Sequence, residues 1–598
     1  MEQKVKNRSE IAEAYKWDLT QIIASKEDFE KKIKVAKEEM ANIDSYQNKV
    51  CESSQSLLET LQHKFSLSSQ LERLYAYGEL HLDTDFSDKE FQRIANEAKT
   101  LIYEEDAKES FIVPEILAAG QEKITEFIKE NKELEPYQFF LEQIFREKEH
   151  ILDTEKEEIL SQFSSVTNYF KESFTYARNK EMSYGTITDS EGNEVELLPS
   201  NFDKYVVDKD RRVRKEAVLA RNEAYEERED SIGANYIGHI KADEVESKMR
   251  HYNSTLEADL KSLNIPRKVY DTLIKKGKEA ISIYQKYLKI RQKVLKVDTL
   301  ESWDLHVPLT ADTEKEFTYE EAKQILLDAF QIYGDEYISI LKEAFDKRWI
   351  DVYPNKNKKV GWYSTCVYDA HPVVFANFEN HLNDISALAH ECGHMVHFAF
   401  SKNNQPYQYY DCSLFEAEVA SLTNEILLSR YLLNKSHDKN EKLSLLANII
   451  GVFEGNFFGA IEGALFEEIA HDKVRNGESL TTESLNNTWK NIQEEFVGDI
   501  VKLSSYNGWC RVPHFYISFY YFKYATGVTA AFYQAKNILE NKEKAISPYL
   551  EFLKVGGSKY PIDSLKVAGI DMTREEVFEE ALQLFDSLLD EFMEIYNS

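Results

Sequence analysis

Apolar residues recur three and four positions apart along most of this chain, a spacing that predicts amphipathic helices. Residues 29–40, 57–82 and 139–151 read as successive helices joined by short polar turns. The period changes near 182. There an alternating run, the turn Asp189-Ser190-Glu191-Gly192-Asn193 and a second alternating run to 198 predict a hairpin. Residues 211–249 read as one long charged helix and 319–345 as a further helical stretch. Between 351 and 377 the helical period is lost again. Two β-branched and aromatic runs, 359–366 and 372–376, read as short strands leading into an amphipathic run over 385–400. The last third returns to helical spacing. Only 11 Pro and 21 Gly interrupt 598 residues, which suits long helices, and no fixed-period repeat points to a solenoid. The predicted class is mainly α, with a small β-sheet beside the 385–400 helix.

That helix carries the most specific chemistry. His390-Glu391-Cys392-Gly393-His394 places two imidazoles four residues apart, one above the other, where both can reach one metal ion. Glu391 sits beside that face and can touch a water at the metal. The word is weak alone, and a carboxylate on a second helix strengthens it. Ser413-Leu414-Phe415-Glu416 is a capping box opening an apolar run, and Glu418 falls in its first two turns. The breaker Asn403-Asn404-Gln405-Pro406 separates the two helices and leaves a connection long enough to fold the second back across the first. Two His and one Glu leave a fourth tetrahedral position for water, the catalytic arrangement rather than the structural one. Glu416 is the competing third ligand, but its box role turns it toward its own helix start. A metzincin is excluded, because its Gly and third His would fall where His397 and Phe400 stand. His397 reads as a packing or outer-sphere residue, and Cys392 as a small buried residue pointing away from the metal. Gly393 costs about 1 kcal/mol against Ala inside a helix, which marks a point of close approach. Glu425, two turns past Glu418, either orients a ligand His or makes an ordinary ion pair.

Composition narrows the function classes. A net charge of −32 and no basic stripe argue against nucleic acid. The acidity is spread along the chain, as solubility alone would require. Five cysteines without close pairing spacings point to reduced thiols and a cytoplasmic home. The first 19 residues carry charges where a signal peptide needs an apolar core, and no run reads as a membrane span.

Two further stretches bear on a site. In the segment 509–527, Tyr516, Tyr520, Tyr521 and Tyr524 read as crowding one helix, with His514 at its start after Pro513. Such stripes mostly pack in cores, but every buried phenol needs a hydrogen-bond partner, and a cavity facing a metal would supply one. The strands over 359–376 either offer an edge to an extended peptide or simply brace the metal helix.

Together, H-E-C-G-H-M-V-H, E-V-A-S-L-T-N-E and P-H-F-Y…F-Y-Y-F-K-Y-A-T-G resemble the thimet-oligopeptidase-like family of zinc metallopeptidases, in particular its bacterial oligoendopeptidases. Trp17-Asp18-Leu19, the 556–561 stretch G-G-S-K-Y-P and residues 566–572 extend the resemblance over nearly the whole chain. It implies an elongated bilobed helical fold with a deep substrate channel. Residues 1–115 would form an N-terminal helical lobe, 116–200 a helical segment and hairpin, and 201–598 the zinc peptidase region. It also implies one Zn²⁺ per chain on His390, His394 and Glu418, with Glu391 as base. His514 and Tyr521, with Tyr524 as the other candidate, would bind substrate and steady the transition state. Cys392 departs from the Leu or Phe common between the family's ligands. The implied activity is cleavage of internal bonds in short oligopeptides by a monomer or small homo-oligomer, with no nucleic-acid or membrane partner. The alternatives are a silent peptide carrier, which would have no use for Glu391, and a zinc hydrolase of a non-peptide amide. Carboxypeptidase-like trimming would need a group for the terminal carboxylate, and the sequence assigns no Arg to that role.

Overall fold

The computed structural model describes residues 6–152, 154–310 and 316–598, so the first five residues of the N-terminal stretch read above lie outside it. Two units interleave along the chain. The first is Met1–Lys148, Glu314–Tyr431 and Asn537–Gly569; the second is Glu149–Thr313, Leu432–Lys536 and Ile570–Ser598. Both are mainly helical, as expected.

In the first unit, Ser54–Thr84 and Lys89–Glu109 form a helical hairpin beside Lys26–Met40. Ser53 and Asp88 cap the two hairpin helices, accepting from the amides of Ser56 and of Glu90 and Phe91. Leu67, Leu71, Leu74, Ile94 and Leu101 share a core with Val373 and Phe375 of the small sheet. Its central strand, Pro372–Phe375, is wholly buried, parallel to Ile350–Asp351 and antiparallel to Tyr363–Cys366. Tyr363–Cys366 is therefore an edge strand. The predicted stretch 319–345 is two helices, Tyr319–Ala329 and Asp335–Asp346, with a break between them.

Buried charge locks this sheet. Lys358 Nζ lies 2.7 Å from Asp351 Oδ1 and donates to the carbonyls of Tyr353 and Ala376, while Arg8 holds Asp351 from the other side. Burial alone would raise the Asp351 carboxyl, but Arg8 and Lys358 outweigh it and hold the group below its usual range. Trp17 packs on Phe375 with ring centroids 5.7 Å apart, and Asp18 pairs with Arg348, so the Trp-Asp-Leu stretch is a clasp on the sheet.

In the second unit the predicted hairpin is present, with Thr186–Thr188 paired to Glu194–Glu196. A parallel pair, Leu300–Glu301 with Val501–Lys502, was not foreseen. The single helix expected over 211–249 is two, Arg211–Glu226 and Glu229–Met249, because Arg228 leaves helical geometry (φ −118°, ψ 1°). A second correction concerns Lys439–Arg475, which is long and apolar enough to cross a membrane. A π-helical turn at Glu454–Gly459 joins its two helical segments, Lys439–Phe453 and Ala460–Arg475. Half of the apolar stretch is buried, and Phe453 packs against Phe532 and Phe585 in this unit's own core.

Candidate active site

The metal helix is Leu382–Asn404. Asp384 opens it by accepting from the amides of Glu379 and His381, 2.8 Å each, and Gln405 leaves it extended ahead of Pro406. The second helix, Leu414–Lys435, carries Glu418. Glu416 is buried and turned back to the Ser413 backbone. Burial pushes its carboxyl up to about 8, with hydrogen bonds from Ser564 and Ser413 opposing. It takes no part in the metal group, which leaves Glu418 as the carboxylate.

The two helices touch backbone to backbone at Gly393. A Cβ there would lie 2.6 Å from Ser421 Cα and 2.9 Å from the Ala420 carbonyl oxygen. The close approach expected at this glycine is thus the crossing point of the two ligand helices. Asn424 ties the crossing further. Its Nδ2 donates to the Ala389 carbonyl (3.1 Å), and its Oδ1 accepts from Tyr333 and Tyr337 (3.0 and 3.1 Å). The connection between the helices is pinned at Gly556, whose φ of +50° no ordinary side chain favours. A Cβ there would meet Ser401 Oγ and the Tyr409 carbonyl, both at 2.2 Å.

At the crossing, three ligand atoms converge. His390 Nε2 and His394 Nε2 are 3.1 Å apart, and Glu418 Oε2 is 3.4 and 3.6 Å from them. Bonds of 2.0–2.1 Å in a tetrahedron put ligand atoms about 3.3 Å apart, so this triangle fits zinc. Ser421 Oγ donates to Glu418 Oε2 (2.9 Å) and orients the carboxylate. Glu425 Oε1 lies 2.7 Å from His390 Nδ1 while Ser386 Oγ donates to its other oxygen (3.1 Å). The open alternative at Glu425 resolves in favour of a ligand-orienting role. Burial would lower the His390 imidazole, but Glu425, Glu418 and Glu391 outweigh it and hold it up to about 9; the negative charge of these carboxylates is what a divalent cation would neutralise. Burial pushes His394 down to about 4, so it is a neutral donor. Replacing Glu425 by Gln is expected to weaken zinc binding about 10-fold or more. Competition with a chelator measures this, and an unchanged affinity would reduce Glu425 to an ordinary ion pair.

Glu391 is buried and its Oε2 has no hydrogen-bond partner. Burial pushes its carboxyl up to about 7, His390 opposing and Glu418 and Glu425 adding. His397 is buried near Phe552, with Cys412 Sγ 4.0 Å from its Nδ1, and Cys392 is fully buried. The five cysteines are unpaired.

His514, Tyr521 and Tyr524 form a group of their own in the second unit. His514 lies in the short turn Pro513–Tyr516 and is half-buried. Its ring centroid is 5.5 Å from Tyr521 and 5.6 Å from Tyr524, whose hydroxyl is 3.5 Å from His514 Nε2. The single tyrosine helix expected here is corrected: the helix starts at Phe522, so Tyr516, Tyr520 and Tyr521 precede it. Phe519 has φ +57°, its amide donating to Glu467 Oε1 (2.9 Å), and Ser518 Oγ donates to Asp243 (2.6 Å). These partners break the helix just before Tyr521, which packs against Gly463. Sequence reasoning missed Ser386, Ser421 and Asn424. The available signal was a row of polar residues at helical spacing on apolar helices.

Comparison with known proteins fits this ligand set. The pattern of peptidase family M3 matches residues 205–584. The chain belongs to that family. A second pattern, described as oligopeptidase F, matches residues 115–184. Oligopeptidase PepF of Bacillus subtilis is 36% identical over 98% of this chain and 88% of its own length. A crystal structure of a Chlamydophila abortus protein superposes with a TM-score of 0.89 at 32% identity, covering 99% of this chain and all of its own. Oligoendopeptidase-F from Enterococcus faecium gives 0.76 at 27% identity, covering 96% and 99%. This M3 chain is therefore a zinc metallopeptidase of the oligoendopeptidase type, and His390, His394 and Glu418 are its metal site.

Proposed function

We propose that the protein cuts internal bonds of short oligopeptides in the cytoplasm, with one zinc ion per chain and Glu391 as its general base. The zinc-sized triangle of His390, His394 and Glu418 beside the unpartnered buried Glu391 Oε2 carries this reading. Zinc, when bound, supplies Lewis acidity and makes water a nucleophile near neutral pH. Glu391 accepts one proton from the water as its oxygen attacks the peptide carbonyl carbon. The C–N bond then breaks, and Glu391 returns the proton to the leaving amine nitrogen. Glu425 and Ser421 hold His390 and Glu418 in place. The family resemblance assigns His514 and Tyr521, with Tyr524 as the other candidate, the part of hydrogen-bond donors to the carbonyl oxygen as charge gathers on it, a role commonly worth about 2.7–4 kcal/mol per donor. The edge strand Tyr363–Cys366 can take an extended peptide by main-chain pairing. Internally quenched oligopeptides test the activity. Cleavage should disappear with a zinc chelator and return with added zinc, while activity that survives chelation would overturn the reading.

A further inference from the structure

A left-handed backbone is costly for a bulky aromatic residue and persists only where the surroundings impose it. Phe519 has φ +57°, two residues before Tyr521. Of the described non-glycine residues with positive φ it is the one that is buried; the others are exposed or half-buried. Its conformation therefore has a cause inside the fold.

One helix supplies that cause. Gly463, Glu467 and His471 lie four residues apart on Ala460–Arg475 and share a face. Each meets one residue of the bend, in reverse order. His471 Nε2 is 3.4 Å from Ser518 Oγ, and its ring centroid is 4.8 Å from that of Phe519. Glu467 Oε1 accepts from the Phe519 amide at 2.9 Å. Gly463 receives the Tyr521 ring, since a Cβ there would lie 2.0 Å from its Cδ1 and 2.5 Å from its Cε1. The helix Glu229–Met249 closes the other side. Its Asp243 Oδ2 accepts from Ser518 Oγ at 2.6 Å, and Glu244 Oε1 lies 2.9 Å from His471 Nδ1, which orients the imidazole that faces Ser518.

Glu467 is the member of this face that is hardest to explain by packing. It is wholly buried, and its Oε2 has no hydrogen-bond partner among the described residues. Burial pushes its carboxyl up, with the Phe519 amide opposing. A leucine would fill a helix core at that position with no polar atom to desolvate. What the carboxyl adds is an acceptor for the Phe519 amide, just where the chain bends ahead of the helix that begins at Phe522. Without it that amide would be buried unpaired, and the bend would lose the contact that favours it. The bend in turn sets where the Tyr521 ring stands against His514, with centroids 5.5 Å apart.

We propose that Glu467 is a positioning residue for the peptidase reaction: through the Phe519 amide it fixes the bend that seats Tyr521 on Gly463 and so holds the phenol in place for substrate. This rests on the reading of Tyr521 as a donor to the substrate carbonyl.

A double-mutant cycle with zinc-loaded protein and one quenched peptide tests it. Glu467→Leu is expected to lower kcat about 10- to 10²-fold with little change in KM, the scale on which a misplaced group acts. Glu467→Met takes its place if the Leu variant does not fold. Glu467→Gln keeps an acceptor oxygen and should stay near wild type. Gly463→Ala leaves the Phe519 amide its acceptor and displaces the Tyr521 ring directly, so it should reproduce the loss. In a Tyr521→Phe background the hydroxyl is already gone, and Glu467→Leu should then cost no more than about twofold further. An equal loss in both backgrounds would be a general packing effect and overturns the proposal. So does a Leu variant with wild-type kcat, or a Gln variant as damaged as the Leu one. If wild type cleaves nothing, or Tyr521→Phe cleaves as fast as wild type, the reading of Tyr521 fails instead. The crystal structure of Glu467→Leu then judges the bend. Phe519 out of the left-handed region and Tyr521 lifted from Gly463 would uphold Glu467 as its holder, and an unchanged bend overturns it.

Discussion

Glu391→Gln should lower peptide cleavage by about 10²- to 10⁴-fold while zinc stays bound, the range by which a positioned base accelerates proton transfer. The substitution is nearly isosteric. It removes a proton acceptor from a position where Oε2 is buried and unpartnered, and it touches none of the three ligand atoms. A group kept buried without a hydrogen bond destabilises the fold, so its retention fits a task performed only when substrate and water are present. The protein should therefore fold as well as before, or slightly better, and the loss should fall on kcat rather than on KM. Zinc content with kcat and KM for one quenched peptide decides the matter. Activity within tenfold of wild type in a zinc-loaded variant would place the base elsewhere. Loss of the zinc would make Glu391 part of the metal's support.

The ligand set could be read from sequence because each of its two halves is local to one helix and the connection between them is short. His390 and His394 are related by one turn, and a capping box disposed of Glu416 by pointing it at its own helix start. Glu418, Ser421 and Glu425 follow at three and four residues for the same reason, although only a partner helix could show that Ser421 serves Glu418 and Glu425 serves His390. The tyrosine segment failed for the opposite reason. Nothing near Phe519 signals a left-handed residue, since the carboxylate that takes its amide, Glu467, comes from 52 residues earlier. Local propensity carries no record of such a distant partner. The small sheet was legible as two strands but not as three, because Ile350–Asp351 is too short to show a period.

Gly393→Ala is expected to raise the zinc dissociation constant by about 10²-fold, the scale on which a misplacement of roughly 1 Å acts at a reacting centre. The added methyl would meet Ser421 Cα at 2.6 Å, and the obstacle is backbone rather than a side-chain tip that can swing aside. Ordinary contact requires the two helices to separate by several tenths of an ångström at the point where they carry His390, His394 and Glu418. The ligand edges, 3.1 to 3.6 Å, would then open on the Glu418 side. Stability should respond much less. Overpacking costs about 1–3 kcal/mol, and alanine returns about 1 kcal/mol of helix propensity. Metal affinity and fold stability thus separate: chelator competition should show a large change and the melting temperature of the metal-free protein a small one. The combination arises only if Gly393 is kept for the crossing of the ligand helices. Unchanged zinc affinity would show that the helices can part without disturbing the triangle, and a collapse of the metal-free fold would assign the glycine to core packing.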